Sequence, residues 1–497
     1  MPEAFKFDQL AAQPIMGTWS LEGGNEEHLG FLCSDGDHLN LRLYLTLPGH
    51  ASPGAHNTPD PRLLPFEPPK QPTIHGRTKA VGHVTLFNCA RIHYQSTVQL
   101  NPVQTRAELT LRPAEAWVGG GFVSNQAKYG QLSFLAPGLH NILSTIHIDH
   151  QFLAESRPKH KSATHKLKKL TGAQEAFLIY QQEQPKAQVL WRGNSYEVAM
   201  ASSIAQSASS VSGVSISTSD HVYITSQSSD LAELSNVSFQ VEQFLALLCM
   251  GPFRAEGIRL QLDAMRQAER FWKLGVPANR AAFKLLPHQT LVALGRHPQL
   301  TQSALDRWFS ASSSTQLARW LMYDSLFSEV SSTSKFLSVA QAWELSGREE
   351  SKVAPYNKKI FRKLCGDISK IIEGQLDKEA ADRLINLMRS SNRESFGDLI
   401  KNTAKKVPQL ALDAICGDLN RFVSVVVDVR NVLTHMQGKK KMSLEAASYL
   451  CMFLTYKLTA LYCIHAATTI GLPLDNLAMM LANNSMARMA CRPLPEI

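Results

Sequence analysis

From Gly17 to about Ser235, apolar and polar residues alternate in short runs separated by Gly and Pro. Leu39, Leu41, Leu43 and Leu45 alternate with Asn40, Arg42 and Tyr44, and similar runs occur at Val84 to Leu86, Val189 to Trp191 and His221 to Thr225. A period of two is that of a half-buried strand, so this half is predicted to be β-rich. Two stretches interrupt it. Pro48 to Pro72 is Pro-rich and reads as a long surface loop. Ser202 to Ser229 is Ser-rich, and its alternating Val and Ile leave both a linker and exposed strands open.

After Val237 the period lengthens to that of helices, beginning with Val237, Phe239, Val241, Phe244, Leu245 and Leu248. Further helices are predicted over Ser303 to Trp320, Lys335 to Ser346, Lys358 to Glu373, Lys378 to Ser390, Leu410 to His435 and Ser443 to Ile470. The expectation is an α+β chain: a β-rich domain over 1–240, a helical connector over 241–300 and an all-α domain over 301–497. Tyr449 to Ile470 is apolar over a length that can cross a bilayer. It carries Lys457 and His465, both costly in hydrocarbon. A buried helix at the centre of the helical domain fits better than a membrane span, and no membrane partner is expected.

Composition adds bounds to this picture. With 44% hydrophobic and 19% charged residues, the 497-residue chain can bury a large core. The formal net charge of +9 points faintly to an anionic partner. Eight cysteines show no C-x-x-C pair and no zinc-like spacing, so reduced and mostly buried thiols are expected. The first residues lack the apolar core of a secretory signal, and a cytoplasmic location is expected.

Thirteen of the 17 histidines lie at or before His221, including His147 and His150 around Asp149. Strand alternation puts His147 and Asp149 on one face and His150 on the other, which chelates poorly. The reading is therefore no metal, and no motif requires a cofactor. Lys159, Lys161, Lys166, Lys168 and Lys169 form a basic run that reads as a solvated loop, with phosphate contact as the alternative. No GxxxxGK[ST] loop or G-x-S-x-G elbow is present, which counts against a P-loop NTPase and an ordinary serine hydrolase.

The informative constellation is Asp428, Arg430, Asn431, Thr434 and His435, of the form R-N-x-x-T-H, at the polar edge of a helix whose buried stripe is Phe422, Val425, Val426, Val429 and Leu433. Composition alone predicts roughly one Arg-x4-His in such a chain. What raises it above chance is the crowding of polar residues there, followed by Lys439, Lys440 and Lys441. At about 100° per residue, Asp428, Asn431 and His435 lie within about 60° of one another, whereas Arg430 points about 140° from His435. The two can meet if the helix ends or bends before His435, if Arg430 reaches around, or if a second copy of the helix supplies one of them. Such a pair suits RNA cleavage: His moves a proton at the 2′-hydroxyl or leaving oxygen, and Arg stabilises charge on the phosphate. A helix-terminal hydrogen-bond cluster without catalysis is the alternative.

At these residues the sequence resembles the HEPN superfamily, in particular the ApeA-type HEPN proteins of bacteria. Phe336 to Glu344 looks like that family's acidic helix, Glu394 to Leu399 like the next helix start, Asp418 to His435 like the motif helix and Ser443 to Gly471 like the long last helix. Gly17 to Leu21, Leu39 to Leu47, Ile74 to Gly76 and Val84 to Cys89 resemble the ApeA amino-terminal domain. Glu22 stands where the family usually has Pro, and Trp343 where it has a smaller apolar residue.

The resemblance implies a HEPN helical bundle behind a β-rich sensor, acting as a metal-independent endoribonuclease in antiphage defence by abortive infection. Arg430 and His435 would be the catalytic pair and Asn431 their polar support; from their position after the motif, Lys439, Lys440 and Lys441 are candidate phosphate contacts. The expected partners are RNA, tRNA among the candidates, a second copy in a homodimer or higher homo-oligomer, and a phage-derived trigger. A non-catalytic HEPN-like dimerisation or RNA-binding module is the competing expectation.

Overall fold

The computed structural model describes residues 10, 13–21, 26–36, 38–48, 73–100, 103–143, 146–152, 175–181, 185–209, 213–273, 289–327, 330–350, 358–372, 375–391, 394–435 and 442–495. The Pro-rich stretch between Pro48 and Pro72 and the basic run at Lys159 to Lys169 lie outside them, apart from Pro48 itself.

The amino-terminal part contains strands β1 (Ile15–Leu21), β2 (His28–Asp35), β3 (His38–Pro48), β4 (Ile74–Thr78), β5 (Gly82–Phe87), β6 (Ala90–Leu100), β7 (Val103–Arg112), β8 (Glu115–Gly119) and β9 (Tyr129–Leu135). Then come a short helix α1 (Leu139–Leu143), β10 (Ile146–Phe152), β11 (Glu175–Gln181), β12 (Lys186–Trp191), β13 (Asn194–Ser209) and β14 (Gly213–Ser229). Helix α2 (Leu231–Cys249) follows, and the chain returns to β structure in β15 (Glu256–Gln261) and β16 (Gln267–Lys273). Fourteen strands make one sheet in the order β12, β13, β14, β9, β15, β16, β8, β5, β4, β1, β2, β3, β7, β6, while β10 and β11 pair apart. The Ser-rich stretch is not a linker but the hairpin of β13 and β14, with Ser202 opposite Asp220 and Ser209 opposite Gly213.

The region 241–300, expected as a helical connector, needs correction. A boundary at residue 240 falls inside α2, and β15 and β16 insert into the sheet between β9 and β8. Of their described side chains, Ile258, Leu260 and Ala268 face inward. What holds them is main-chain pairing to β9 and β8, such as Leu260 opposite Leu132 and Glu269 opposite Val118, which no local pattern announces.

One core lies around Trp19, with Ile15, Leu32, Leu41, Leu43, Ile74 and Leu86. Trp19 is paired with Gly76, and a Cβ on Gly76 would sit 2.3 Å from the indole ring, so the glycine is the shelf on which the ring lies. The second core runs without a break from β9, β12, β13 and β14 through α2 into the helical half. Helix α2 starts from a capping box in which Asp230 accepts from the Glu233 amide and Glu233 accepts from the Asp230 amide. Its buried stripe includes Leu234, Val237, Val241, Phe244, Leu245 and Leu248.

Asp220 is a buried carboxylate at the edge of this core. It accepts from the Gly138 amide at 3.0 Å and stands 2.7 Å from His140 Nδ1. Burial pushes its pKa up, but the hydrogen bonds of His140 and Ser202 outweigh that and hold it below the ordinary carboxylate value. The unfolded chain therefore binds this proton more tightly, so Asp220 stabilises the fold above its ordinary pKa and loses that contribution as pH falls below about 4. Asp220→Asn is expected to cost about 1–3 kcal/mol at neutral pH and to flatten the acid limb of the stability curve, measured by denaturant titration at several pH values. An unchanged acid limb would assign the pH dependence to other groups.

The helical half comprises α3 (Pro298–Phe309), α4 (Ser313–Phe327), α5 (Ser332–Glu350), α6 (Lys358–Ile372), α7 (Lys378–Ser391), α8 (Phe396–Ala404), α9 (Gln409–Ile415), α10 (Leu419–His435), α11 (Leu444–Thr469), α12 (Leu477–Asn483) and α13 (Ser485–Ala490). Two helices expected as single pieces are broken. The one beginning near Ser303 stops at Phe309, and the Ser312 hydroxyl accepts from the Thr315 amide to start α4. The one beginning near Leu410 stops at Ile415; Gly417 turns at φ +66°, and the Asp418 carboxylate accepts from the Asn420 and Arg421 amides to start α10. Helix α3 also covers one edge of the sheet: the Gln302 amide bonds both the N–H and the C=O of Gln188 on β12, as a neighbouring strand would.

Helix α11, apolar enough to cross a membrane, is a core helix. Lys457 and His465 are each 3% exposed. The Lys457 ammonium donates to Ile415 O at 2.5 Å and to Ala490 O at 2.8 Å, so one cation closes the carboxyl ends of both α9 and α13.

Candidate functional site

Helix α5 buries Phe336, Val339, Ala340 and Trp343, spaced for one helical face. The Trp343 indole donates to Leu458 O of α11 at 3.0 Å and meets the Tyr462 ring edge-on. That anchor places Glu344, the next residue round the helix, at the edge of the buried face. Helix α10 does the same for Arg430: Phe422, Val423, Val426 and Val429 are buried, and Arg430 follows Val429 at the polar margin.

The two margins meet. Arg430 Nη2 donates to Glu344 Oε2 at 2.6 Å. Arg348, one turn along α5, donates to Glu344 Oε1 from Nε at 3.2 Å and Nη2 at 2.6 Å. The Arg430 guanidinium carbon lies 4.6 Å from the centroid of Phe396, the first residue of α8. Ser395 caps that helix by accepting from the Asp398 amide, which fixes the ring under the guanidinium. Arg430 is thus clamped between a carboxylate and an aromatic face, and its side chain is 30% exposed. Among the described residues its remaining N–H groups have no protein acceptor. A planar fork held in this way is preorganised for a phosphate.

Asn431 and Asp428 are half-buried on the same helix. Thr434 Oγ1 donates to Arg430 O at 2.8 Å, one turn back. Helix α10 continues as far as His435, so it does not end ahead of that residue. A straight helix keeps Arg430 and His435 about 140° apart. The side chain of His435 and residues Lys439, Lys440 and Lys441 lie outside the described part of the chain.

Sequence reasoning gives no role to three of the contributors. Glu344 reads there only as part of an acidic helix, and Arg348 and Phe396 do not stand out. The Glu344 to Arg348 spacing of four residues is a readable pair signal, whereas contact between Glu344 and Arg430, 86 residues apart, is not. Among the described residues no group of three His, Cys, Asp or Glu side chains converges to hold a metal ion, and the eight cysteines are unpaired thiols. In the register of β10 and β11, His147 and Asp149 occupy one parity of the strand and His150 the other.

Sheet and bundle together define a two-module protein, in which a β-rich domain precedes a helical domain that presents a clamped guanidinium. Two family models match these modules: ApeA N-terminal domain 1 over residues 14–288, more than half of the chain, and Apea-like HEPN over residues 337–476. The chain belongs to the ApeA-type HEPN proteins. The first match extends past β16, in keeping with the extent of the sheet. No curated protein and no solved structure matches the chain. HEPN domains are generally ribonucleases, and the second match contains Glu344, Phe396, Arg430 and His435.

Proposed function

We propose that the protein is a metal-independent endoribonuclease of antiphage defence, acting by abortive infection, with its β-rich domain restraining or sensing and its HEPN domain cutting RNA. The observation that carries this reading is Arg430, held by Glu344 and Phe396 with free donors at the R-x4-H motif. In this scheme Arg430 binds the scissile phosphate and stabilises the charge that builds on it. His435 moves a proton at the 2′-hydroxyl or the leaving oxygen, and Asn431 orients the phosphate or the imidazole. Lys439, Lys440 and Lys441 add phosphate contacts beyond the helix end. With α10 helical as far as His435, Arg430 and His435 are about 140° apart around it, which supports a homodimer in which the second copy supplies the His435 that works with each Arg430. A tRNA is one RNA such a cleft would accept, and a phage-derived trigger would act through the β-rich domain. A cytoplasmic setting fits this role.

A mechanism built on the 2′-hydroxyl makes a sharp prediction. Purified protein should cut a labelled RNA in the presence of EDTA and leave intact the same oligonucleotide with 2′-deoxy sugars. Cleavage of the deoxy oligonucleotide would reject the scheme. The second reading, a non-catalytic HEPN-like dimerisation or RNA-binding module, draws on the same ion pair, since an arginine already paired with Glu344 also serves as a structural residue. It predicts that the RNA stays uncut.

A further inference from the structure

Between α5 and α8 the chain leaves the bundle as the hairpin of α6 and α7. Helix α6 packs chiefly on α7, and Cys365 and Ile372 of the first and Ala381 and Ile385 of the second are buried. Much of the rest of the helix is exposed. At about 100° per residue, Arg362, Lys359, Lys370 and Lys363 fall within one arc of about 100°, with Asp367 as the single acid of the helix beyond it. Arg362, Lys363 and Lys370 are exposed and have no acidic partner among the described residues.

Helix stability does not account for this arrangement. Four of the first six residues, Lys358, Lys359, Arg362 and Lys363, are cationic, and they sit at the end of α6 where the helix dipole disfavours positive charge. Lys363 and Lys370, seven residues apart, put like charges along the same face. An anionic partner laid along the arc would offset both terms.

The hairpin is also rooted at the candidate site. Ser391 at the end of α7 is five residues from Phe396, a reach of at most about 17 Å. Arg348 lies in the last turn of α5 before the chain departs. Arg362 and Lys363 occupy the root half of α6, and Lys370 stands about 12 Å further out than Arg362 along the axis.

We infer that the basic face of α6, carried by Arg362, Lys363 and Lys370, is a docking surface for the phosphate backbone of single-stranded RNA that leads into the Arg430 cleft. This rests on the ribonuclease reading for the cleft, although binding is measurable without cleavage. The aliphatic edge of α6, Ile360, Leu364 and Ile371, is exposed but centred about 130° from the basic arc. A helix lying on an anionic membrane needs its cations flanking the apolar stripe, so this geometry favours RNA over a lipid surface.

The test uses full-length protein carrying Arg430→Ala, so that RNA is not consumed, and a fluorescein-labelled 20-nucleotide oligouridylate read by anisotropy. Adding Arg362→Gln, Lys363→Gln and Lys370→Gln is expected to weaken binding about 10- to 100-fold near 0.1 M salt. The slope of log affinity against log salt should fall by about 2, at about 0.7 for each phosphate no longer neutralised. Glutamine keeps helix propensity, and the melting temperature should hold or rise as the repulsion is relieved. In the Arg430 background, unchanged affinity and slope, or absence of RNA binding before α6 is altered, overturns the inference. So does a triple substitution that leaves RNA affinity intact while abolishing sedimentation with phosphatidylserine vesicles. If the oligouridylate binds through α6 but wild-type protein cuts no RNA, the cleavage reading fails and the docking surface stands. If Arg430→Ala stops cleavage and the triple variant binds normally, the docking surface alone falls.

Discussion

Mixing the Arg430→Ala and His435→Ala proteins is expected to restore about one quarter of wild-type RNA cleavage, although each variant alone should fall by at least about 100-fold. The expectation follows from the extent of α10, whose helical spacing puts the two positions about 140° apart around one helix. In a symmetric pair, each cleft would take Arg430 from one copy and His435 from the other, giving two clefts per dimer. Random exchange makes about half of the dimers mixed, and a mixed dimer keeps one complete cleft of two. Cleavage of a labelled RNA, with native mass spectrometry to verify mixing, gives the result. Recovery near zero in a verified mixture would mean that both residues of a cleft come from one chain. Retention of the helical circular dichroism signal by both single variants separates impaired chemistry from impaired folding.

The second large effect concerns Lys457, a buried residue with no part in the proposed chemistry. Lys457→Ala is expected to lower stability by about 3 kcal/mol, because the carbonyls of Ile415 and Ala490 are left without a charged donor inside the protein. For a domain of this size that is a fall of about 6–12 °C in Tm, read by thermal denaturation. Lys457→Met keeps most of the volume and isolates the polar part, at about 2 kcal/mol. Burial holds the Lys457 pKa below the ordinary lysine value, against the smaller opposing influence of Cys416 and Cys491. The folded state therefore binds this proton less tightly than the unfolded chain, and the penalty for burying the charge fades as pH rises toward about 10. The stability gap between wild type and Lys457→Met should widen over that range. A gap that stays constant or narrows would place the Lys457 charge in contact with solvent.

The division into a strand-rich half and a helical half is legible because periods of two and of 3.6 residues are written into side-chain order. Legibility ends where a segment depends on a distant neighbour. The strands β15 and β16 are short, and their place in the sheet is set by main-chain pairing to β9 and β8. The break before α10 is written in Gly417 and Asp418, a helix stop followed by a cap, yet the apolar period runs through it and masks the signal. At the site, the motif shows Arg430 and the resemblance points to the helix of Glu344. The clamp itself is a tertiary contact across 86 residues, which one sequence without geometry does not display. Gly76 is similar: its place in a family pattern is visible, but the reason, a tryptophan ring packed where a Cβ would stand, is not.

The return of the chain from α2 into the sheet bears on how the two modules can be handled and exchanged. A cut between β14 and α2 would look natural on a map of strands and helices, but it would carry off β15 and β16 and open a gap between β9 and β8. It would also take α2, whose Gln240 carbonyl receives the Trp308 indole of α3 and whose Glu242 receives the Tyr323 hydroxyl of α4. An amino-terminal fragment that keeps every strand of the sheet must extend through Lys273, and it then presents to water the side of α2 that the bundle covers. Neither half is a cassette that recombination could swap at a single seam, so a change in what the sheet senses has to arise in its loops and edges, with the helix beneath kept as common property.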